Sequence, residues 1–281
     1  MRKINKLKLF ILVITLAVIT SGLFFTFTSL FKEDDVTKKD KEVVTQEKKS
    51  PYEQFSYYDE KLLDRYEKYH GNNPEMNVED IVTYVNAGID APFYSREPIM
   101  VEDPNALDVL VNKVYKLPND FIPQDLVVVD NYRSQEMCHE AAKAFQQLAQ
   151  KCADEGFTIY VHSGYRSYDY QDRIYQNMIA NYGQEYTDQY SSKPGHSEHM
   201  TGLSCDVAFE GYHYEEIINS PDYPFFESQL ENHGFILRFL EGKQNITGYE
   251  YEPWHIRYVG VDLAKEIADS NLTYEEFVAR K

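Results

Sequence analysis

Short apolar runs interleaved irregularly with amphipathic stretches predict an α+β fold, a small mixed or antiparallel sheet flanked by helices. Three observations carry this reading. Leu126–Val129, Phe157–His162, Cys205–Phe209 and Phe235–Phe239 are apolar runs of strand length. Between the first two, Cys138, Ala141, Ala142, Phe145, Leu148, Ala149, Cys152 and Ala153 fall on one helical face, which Gly156 ends. A second face follows in Ile174, Tyr175, Met178, Ile179 and Tyr182, with Ser167 as its cap and Gly183 as its stop. No internal repeat is visible.

Taken in order, the chain begins with Arg2, Lys3, Lys6 and Lys8, followed by an uncharged run from Leu9 to Phe31. About 20 apolar residues cross a bilayer, and flanking basic residues stay on the cytoplasmic side. Residues 1–31 therefore predict a single-pass membrane anchor with everything after Lys32 outside. A cleaved signal peptide is the alternative, with Thr20-Ser21-Gly22 as a weak cleavage site; the length of the run favours the anchor. Residues 32–50 mix lysines with acids and hold few apolar groups, the composition of a solvated stalk.

Residues 51–100 turn amphipathic. Leu62, Leu63, Tyr66 and Tyr69 predict a short helix and Asn77 starts another, together a packing arm with no evident chemistry. The main domain is placed at 101–281. Asp103-Pro104-Asn105 predicts a helix with Leu107, Leu110, Val111 and Val114 on its face, and Ser134 is read as the opening of the clearest helix. Tyr186 to Ser197 reads as polar loop and Phe226 to His233 as a short helix stopped by Gly234. Ile256 to Val259 reads as extended, Val261 to Ala268 as helix, and Thr273 with Glu276 as a capping box.

Composition narrows the function. With 281 residues, 43% of them hydrophobic, the chain can bury a sizeable core. A net charge of −18 excludes a nucleic-acid surface, which needs clustered Lys and Arg. Three cysteines fit no disulfide framework and read as small buried apolar residues. The 24 tyrosines are spread through helices and strands, so core packing explains them better than an adhesive surface.

The chemistry lies in two stretches, Ser197-Glu198-His199-Met200-Thr201-Gly202-Leu203-Ser204-Cys205-Asp206 and Glu252-Pro253-Trp254-His255. Any one of these histidines or acids alone means little. In combination, His199, Asp206 and His255 make a three-ligand set suited to one catalytic Zn²⁺ per chain, with a position left for water. Asp206 sits in an apolar strand, where an unpaired carboxylate is costly. Cys205 is the other possible ligand; neighbouring strand residues face opposite sides, so one of the pair serves, and Asp206 is taken. Gly202 lets the backbone bend between loop and strand, and Pro253 breaks the extended chain so that Glu252 and His255 share a side. Glu252 is then placed to accept a proton from the water.

Ser163-Gly164-Tyr165-Arg166-Ser167, the Ser197-x-His199-x-x-Gly202-x-x-x-Asp206 pattern and Glu252-Pro253-Trp254-His255 together resemble the VanY-type D-alanyl-D-alanine carboxypeptidases, zinc peptidases of the LAS/M15 group. The similarity runs from about Ala106 to Ile267. It implies the LAS/hedgehog-type peptidase fold, zinc on His199, Asp206 and His255, and Glu252 as base. It also implies Arg166 on the scissile carbonyl oxygen or the substrate's charged end, with Ser163, Tyr165, Gln171 and Ser197 shaping the pocket. The substrate implied is a peptidoglycan stem peptide ending in D-Ala, and the setting a bacterial cell membrane with the catalytic part outside, or a secreted protein if the first segment is cleaved. L,D-carboxypeptidases and D,D-dipeptidases share the same residues and stay open. A non-catalytic module that binds wall peptides is the rival of another class, and an intact Glu252 counts against it.

Overall fold

The structure, a computed structural model, describes residues 49–130 and 134–281. The expected anchor at 9–31 and almost all of the stalk lie outside these, and among the described residues no helix is long and apolar enough to cross a membrane. Residues 49–281 form one compact unit. It opens with α1 (Leu63–Asn72) and α2 (Val78–Asn86), the latter capped by Asn77, whose side chain accepts from the Asp80 amide at 2.8 Å. Their inward residues Tyr66, Ile81, Val82 and Val85 pack with Tyr52 in a small cluster of their own.

The helix expected after Asp103 does not form. Turns and extended backbone lead instead to a short parallel pair, β1 (Ile99–Met100) with β2 (Tyr115–Lys116). The reason is a buried cation: Arg257 donates to the carbonyls of Leu107 and Val109, each at 2.9 Å, taking acceptors that helical bonds would need. Leu110 and Val111 are buried all the same.

β3 (Leu126–Asp130) pairs antiparallel with β4 (Gln135–Cys138), so the long helix does not begin at Ser134. It is α3 (His139–Asp154), and Cys138 is the residue before it, held by strand pairing with Leu126 and by its N–H donating to the Gly202 carbonyl at 2.8 Å. Next come β5 (Ile159–Ser163) and α4 (Tyr168–Tyr182), which Ser167 caps and Gly183 ends. The loop expected from Tyr186 starts as helix instead, α5 (Gln184–Tyr190). Its first turn is pinned by the Thr187 amide and hydroxyl, both donating to the Gly183 carbonyl, and by the Tyr175 phenol on Asp188 at 2.5 Å.

The remaining elements are β6 (Ser204–Phe209), α6 (Tyr223–Gln229), β7 (Phe235–Leu237), α7 (Gln244–Thr247), β8 (His255–Tyr258), α8 (Val261–Ser270) and α9 (Tyr274–Ala279). α9 opens with the expected Thr273–Glu276 capping box. Four strands form one antiparallel sheet in the order β5-β6-β8-β7. β6 lies inside it and all six of its residues are buried. Cys205, Val207 and Phe209 join Ala141, Phe145, Leu148 and Cys152 of α3 in the main core, with Val161, Phe235 and Ile256 from the other strands. All three cysteines are buried and free. With that alternation spent on the core, Ser204 and Asp206 belong to the opposite face.

Candidate active site

The register of the sheet sets three functional residues in one row. Ser163 at the end of β5 lies opposite Asp206 of β6, and Asp206 lies opposite His255, the first residue of β8. Directly paired strand residues have side chains about 4.5–5.5 Å apart, so the row brings its polar groups together by backbone pairing alone. His199 arrives from a single 3₁₀ turn, Glu198–Thr201, just before β6. The chain reverses between turn and strand at Gly202, with φ +68°, where a Cβ would meet Cys138 Sγ and Leu126 Cδ2 at 2.9 Å. Only glycine fits that corner.

The expected ligand atoms converge. One atom each from His199, Asp206 and His255 lie within 4.8 Å of one another, all on buried residues. Asp206 Oδ1 is 3.3 Å from His199 Nε2 and 3.1 Å from His255 Nδ1. The outer nitrogens are held separately. His199 Nδ1 donates to the Gly164 carbonyl at 2.8 Å, which leaves the Nε2 lone pair facing the cluster. Gly164 can be nothing larger, because a Cβ there would sit 2.3 Å from the Glu136 carbonyl oxygen. His255 Nε2 faces Glu198 Oε2 at 3.6 Å, and both atoms are buried with no hydrogen-bond partner among the described residues. A proton on Nε2 suits that carboxylate and frees Nδ1 for a cation.

The electrostatics fit the same group. Burial and the neighbouring Arg166 guanidinium lower the His199 pKa to about 4, so this imidazole is neutral and able to ligate. Burial opposes ionisation of Asp206, but His199 and Arg166 outweigh it and hold the carboxyl well below the usual range. Burial also opposes charging of His255, yet bonds to Asp206 and Glu198 win and raise it to about 9. The raised value puts a proton on Nδ1 beside Asp206, and a cation bound where the ligand atoms meet takes the place of that proton. Two nitrogens and one carboxylate at that point are the donor set of a zinc site with an open position.

Glu252 reaches the cluster through the turn that the proline forms. The His255 amide donates to the Glu252 carbonyl at 3.2 Å, and Glu252 Oε2 stands 3.7 Å from His255 Nδ1. Its side chain is 15% exposed. Burial, aided by the Asp206 charge and opposed by His255 and Arg166, raises its pKa to about 7. A carboxylate so tuned exchanges protons near neutrality. Arg166 donates to Asp206 Oδ2 at 2.5 Å and to Ser163 Oγ at 2.9 Å, so its guanidinium lies against the ligand carboxylate at the cluster's edge.

These groups line one cleft of about 700 Å³, together with Tyr165, Gln171 and Ser197. Gln171 is 2% exposed and donates to the Ser192 carbonyl at 2.9 Å, while its Oε1 has no partner among the described residues and remains an acceptor for a bound group. Every residue expected to hold zinc, act as base or contact substrate is thus found in this cleft, while Cys205, the other possible ligand, is spent on the core. Sequence reasoning passed over the carbonyl of Gly164 and the carboxylate of Glu198, although both stand inside quoted motifs. A buried acid beside a ligand histidine was the available signal for Glu198. Arg238 and Arg257, given no role from the sequence, meet that carboxylate at 2.8 and 3.2 Å.

Comparison with known proteins converges on one group. The VanY family profile, described as D-alanyl-D-alanine carboxypeptidase, matches residues 134–261. A Bacillus subtilis (strain 168) protein, putative carboxypeptidase YodJ, is 37% identical over 187 residues, 63% of this chain and 68% of that one. The LdcB LD-carboxypeptidase structure aligns with a TM-score of 0.62 at 34% identity, over 67% of this chain and 94% of that one. A vancomycin-resistance D,D-pentapeptidase VanY, solved in complex with Zn(II), aligns with a TM-score of 0.55 at 27% identity, over 63% of this chain and 99% of that one.

Proposed function

Because the chain belongs to the VanY family of D-alanyl-D-alanine carboxypeptidases, which are zinc metallopeptidases, we propose that it removes the terminal D-Ala from peptidoglycan stem peptides as a D,D-carboxypeptidase with one zinc per chain. The observation that carries the reading is the convergence of His199, Asp206 and His255 on one point with Glu252 beside it. His199, Asp206 and His255 would hold the zinc, which would supply a water acidic enough to lose a proton near neutral pH and a positive charge for the carbonyl oxygen. Glu252 takes that proton and returns it to the leaving amine, a role its pKa of about 7 suits. Arg166, at the edge of the cluster, shares the charge that builds on the carbonyl oxygen. Ser163, Tyr165, Gln171 and Ser197 hold the peptide end in the cleft, Gln171 through its free Oε1.

The reading places the catalytic part outside a bacterial cell membrane, tethered through residues 9–31, on the charge pattern of the first 31 residues. An L,D-carboxypeptidase is the second reading, supported by the LdcB likeness. The two differ in which stem peptide is cut. Full-length protein is incubated with a stem pentapeptide ending in D-Ala-D-Ala and with a tetrapeptide ending in one D-Ala, and products are weighed by mass spectrometry. Loss of a single alanine from the pentapeptide is the expected result. Cleavage of the tetrapeptide alone establishes the second reading, and release of the intact dipeptide replaces both.

A further inference from the structure

Among the described residues, four of the exposed large hydrophobic side chains are tyrosines of α4 and α5: Tyr170, Tyr182, Tyr186 and Tyr190. Three of them form a rail. Tyr182 ends α4, and Tyr186 and Tyr190 follow at four-residue steps across Gly183, so their rings fall on one side of the chain. Ring centroids lie 5.1 Å apart from Tyr182 to Tyr186 and 4.5 Å from Tyr186 to Tyr190. The rings are ordered against one another, yet remain 63%, 44% and 44% exposed. Tyr175, between the same helices, shows the alternative: it is buried, with its phenol on Asp188. The rail therefore marks a surface held open to solvent at a cost in exposed apolar area.

It is also continuous with the catalytic cleft. Tyr186 and Tyr190 line the cavity that holds the ligand cluster, and Tyr182 extends the row beyond it. We propose that the rail is a sugar-binding platform, on which the glycan carrying the stem peptide rests while the peptide end lies at His199, Asp206 and His255. The proposal builds on the reading of function above. A sugar ring has apolar C–H faces and a hydroxylated rim, and a tyrosine has a flat apolar body with a polar tip, so the two match face to face and edge to edge. Exposed Asn181 and Gln189, next to Tyr182 and Tyr190 in the chain, offer amides to hydroxyl and N-acetyl groups. The segment 182–190 holds Glu185 and Asp188 but no Lys or Arg, which disfavours an anionic membrane or nucleic acid. A row of three rings is narrow beside the roughly 800 Å² per partner of a stable protein interface.

The test separates binding from turnover. Full-length protein is titrated with peptide-free glycan strands, wild type against Tyr182→Ala/Tyr186→Ala and Tyr182→Phe/Tyr186→Phe, with circular dichroism to confirm the fold. The alanine pair weakens binding about threefold to tenfold for each ring, and the phenylalanine pair keeps most of it, since stacking needs the ring and not the phenol. In parallel, kcat/KM is compared for the same stem peptide free and attached to a disaccharide; the preference for the attached form falls in Tyr182→Ala. Glycan binding unchanged in a folded alanine pair overturns the proposal, as does an effect confined to the sedimentation of the chain, which would make the rail a contact between copies. If neither peptide is cut, the functional reading fails, and the glycan titration still decides the platform.

Discussion

Two groups of buried charge lie against opposite nitrogens of His255, and they are built to opposite ends. On the Nε2 side, Glu198, Arg238, Arg257 and Glu275 are all nearly inaccessible to solvent. Two acids meet two arginines: Arg238 grips Glu275 through two bonds of 2.6 and 2.9 Å and reaches Glu198 at 2.8 Å, while Arg257 lies 3.2 Å from Glu198. Charge cancels, and the Asn112 amide fills a further site on Glu275 at 3.1 Å. On the Nδ1 side, Asp206 and Glu252 outnumber Arg166, and three ligand atoms point at a common centre. Buried charge that closes on itself holds structure; buried charge that leaves lone pairs converging is available for chemistry. The first group also serves the second, since Glu198 turns its spare oxygen to His255.

The largest effects fall on the open side. His255→Ala removes one of the three proposed ligands, so bound zinc measured by atomic emission is expected to drop to background along with hydrolysis. Glu252→Gln, in contrast, keeps the zinc and loses about 10²–10⁴-fold in kcat, the usual share of a general base. Equal zinc content in wild type and His255→Ala would show that the two sides of the ring do not differ as described.

Next comes the closed side. Glu275→Ala strands the fully buried Arg238 guanidinium and lowers unfolding free energy by about 3–5 kcal/mol in urea titration. A loss well under 1 kcal/mol would mean that Glu198 alone suffices to neutralise the arginine, and the description of a closed quartet would be wrong.

A neutral reference sharpens the contrast. His196 is buried outside both groups, with Nδ1 bonded to the Asn112 carbonyl at 2.8 Å, and burial, with Lys116 and Lys193 nearby, lowers its pKa to about 4 from 6.5. Unfolded chains accept the proton below pH 6.5 and the folded one resists it until about 4. The contribution of His196 is therefore intact above pH 6.5 and is lost between 6.5 and 4, at a cost of up to about 3 kcal/mol. Urea titrations at pH 7 and 4.5 show this loss in wild type and a smaller one in His196→Asn.

The smallest effect tests the link between the two sides. Glu198→Gln keeps the shape but weakens the partner of His255 Nε2, and zinc affinity measured by chelator competition falls about 10–100-fold. Unchanged affinity would confine Glu198 to the closed group.

Much of the site was legible because its groups are clustered in short motifs whose chemistry limits the choices. A carboxylate at position 206 inside an apolar strand demands a partner, and glycines at 164 and 202 stand where nothing larger fits. The elements that misled are those whose backbone bonds are claimed from far away. Leu107 to Val114 has a helical pattern, but Arg257 takes its carbonyls. Gln135 to Cys138 continues the face of α3, but pairing with β3 makes it strand. Tyr186 to Tyr190 looked like loop because it is polar, and Thr187 with Asp188 made it helix.

By itself the chain of residues determined the ligand set, the acid beside it, the order of the main strands and the capped helix ends, since each depends on residue type and local spacing. Tertiary structure decided the register that sets Ser163, Asp206 and His255 in a row, the quartet beneath His255 and the open rail of tyrosines. Those features depend on which distant backbones and charges meet, and meeting is settled by packing and by the cost of leaving a buried polar group alone.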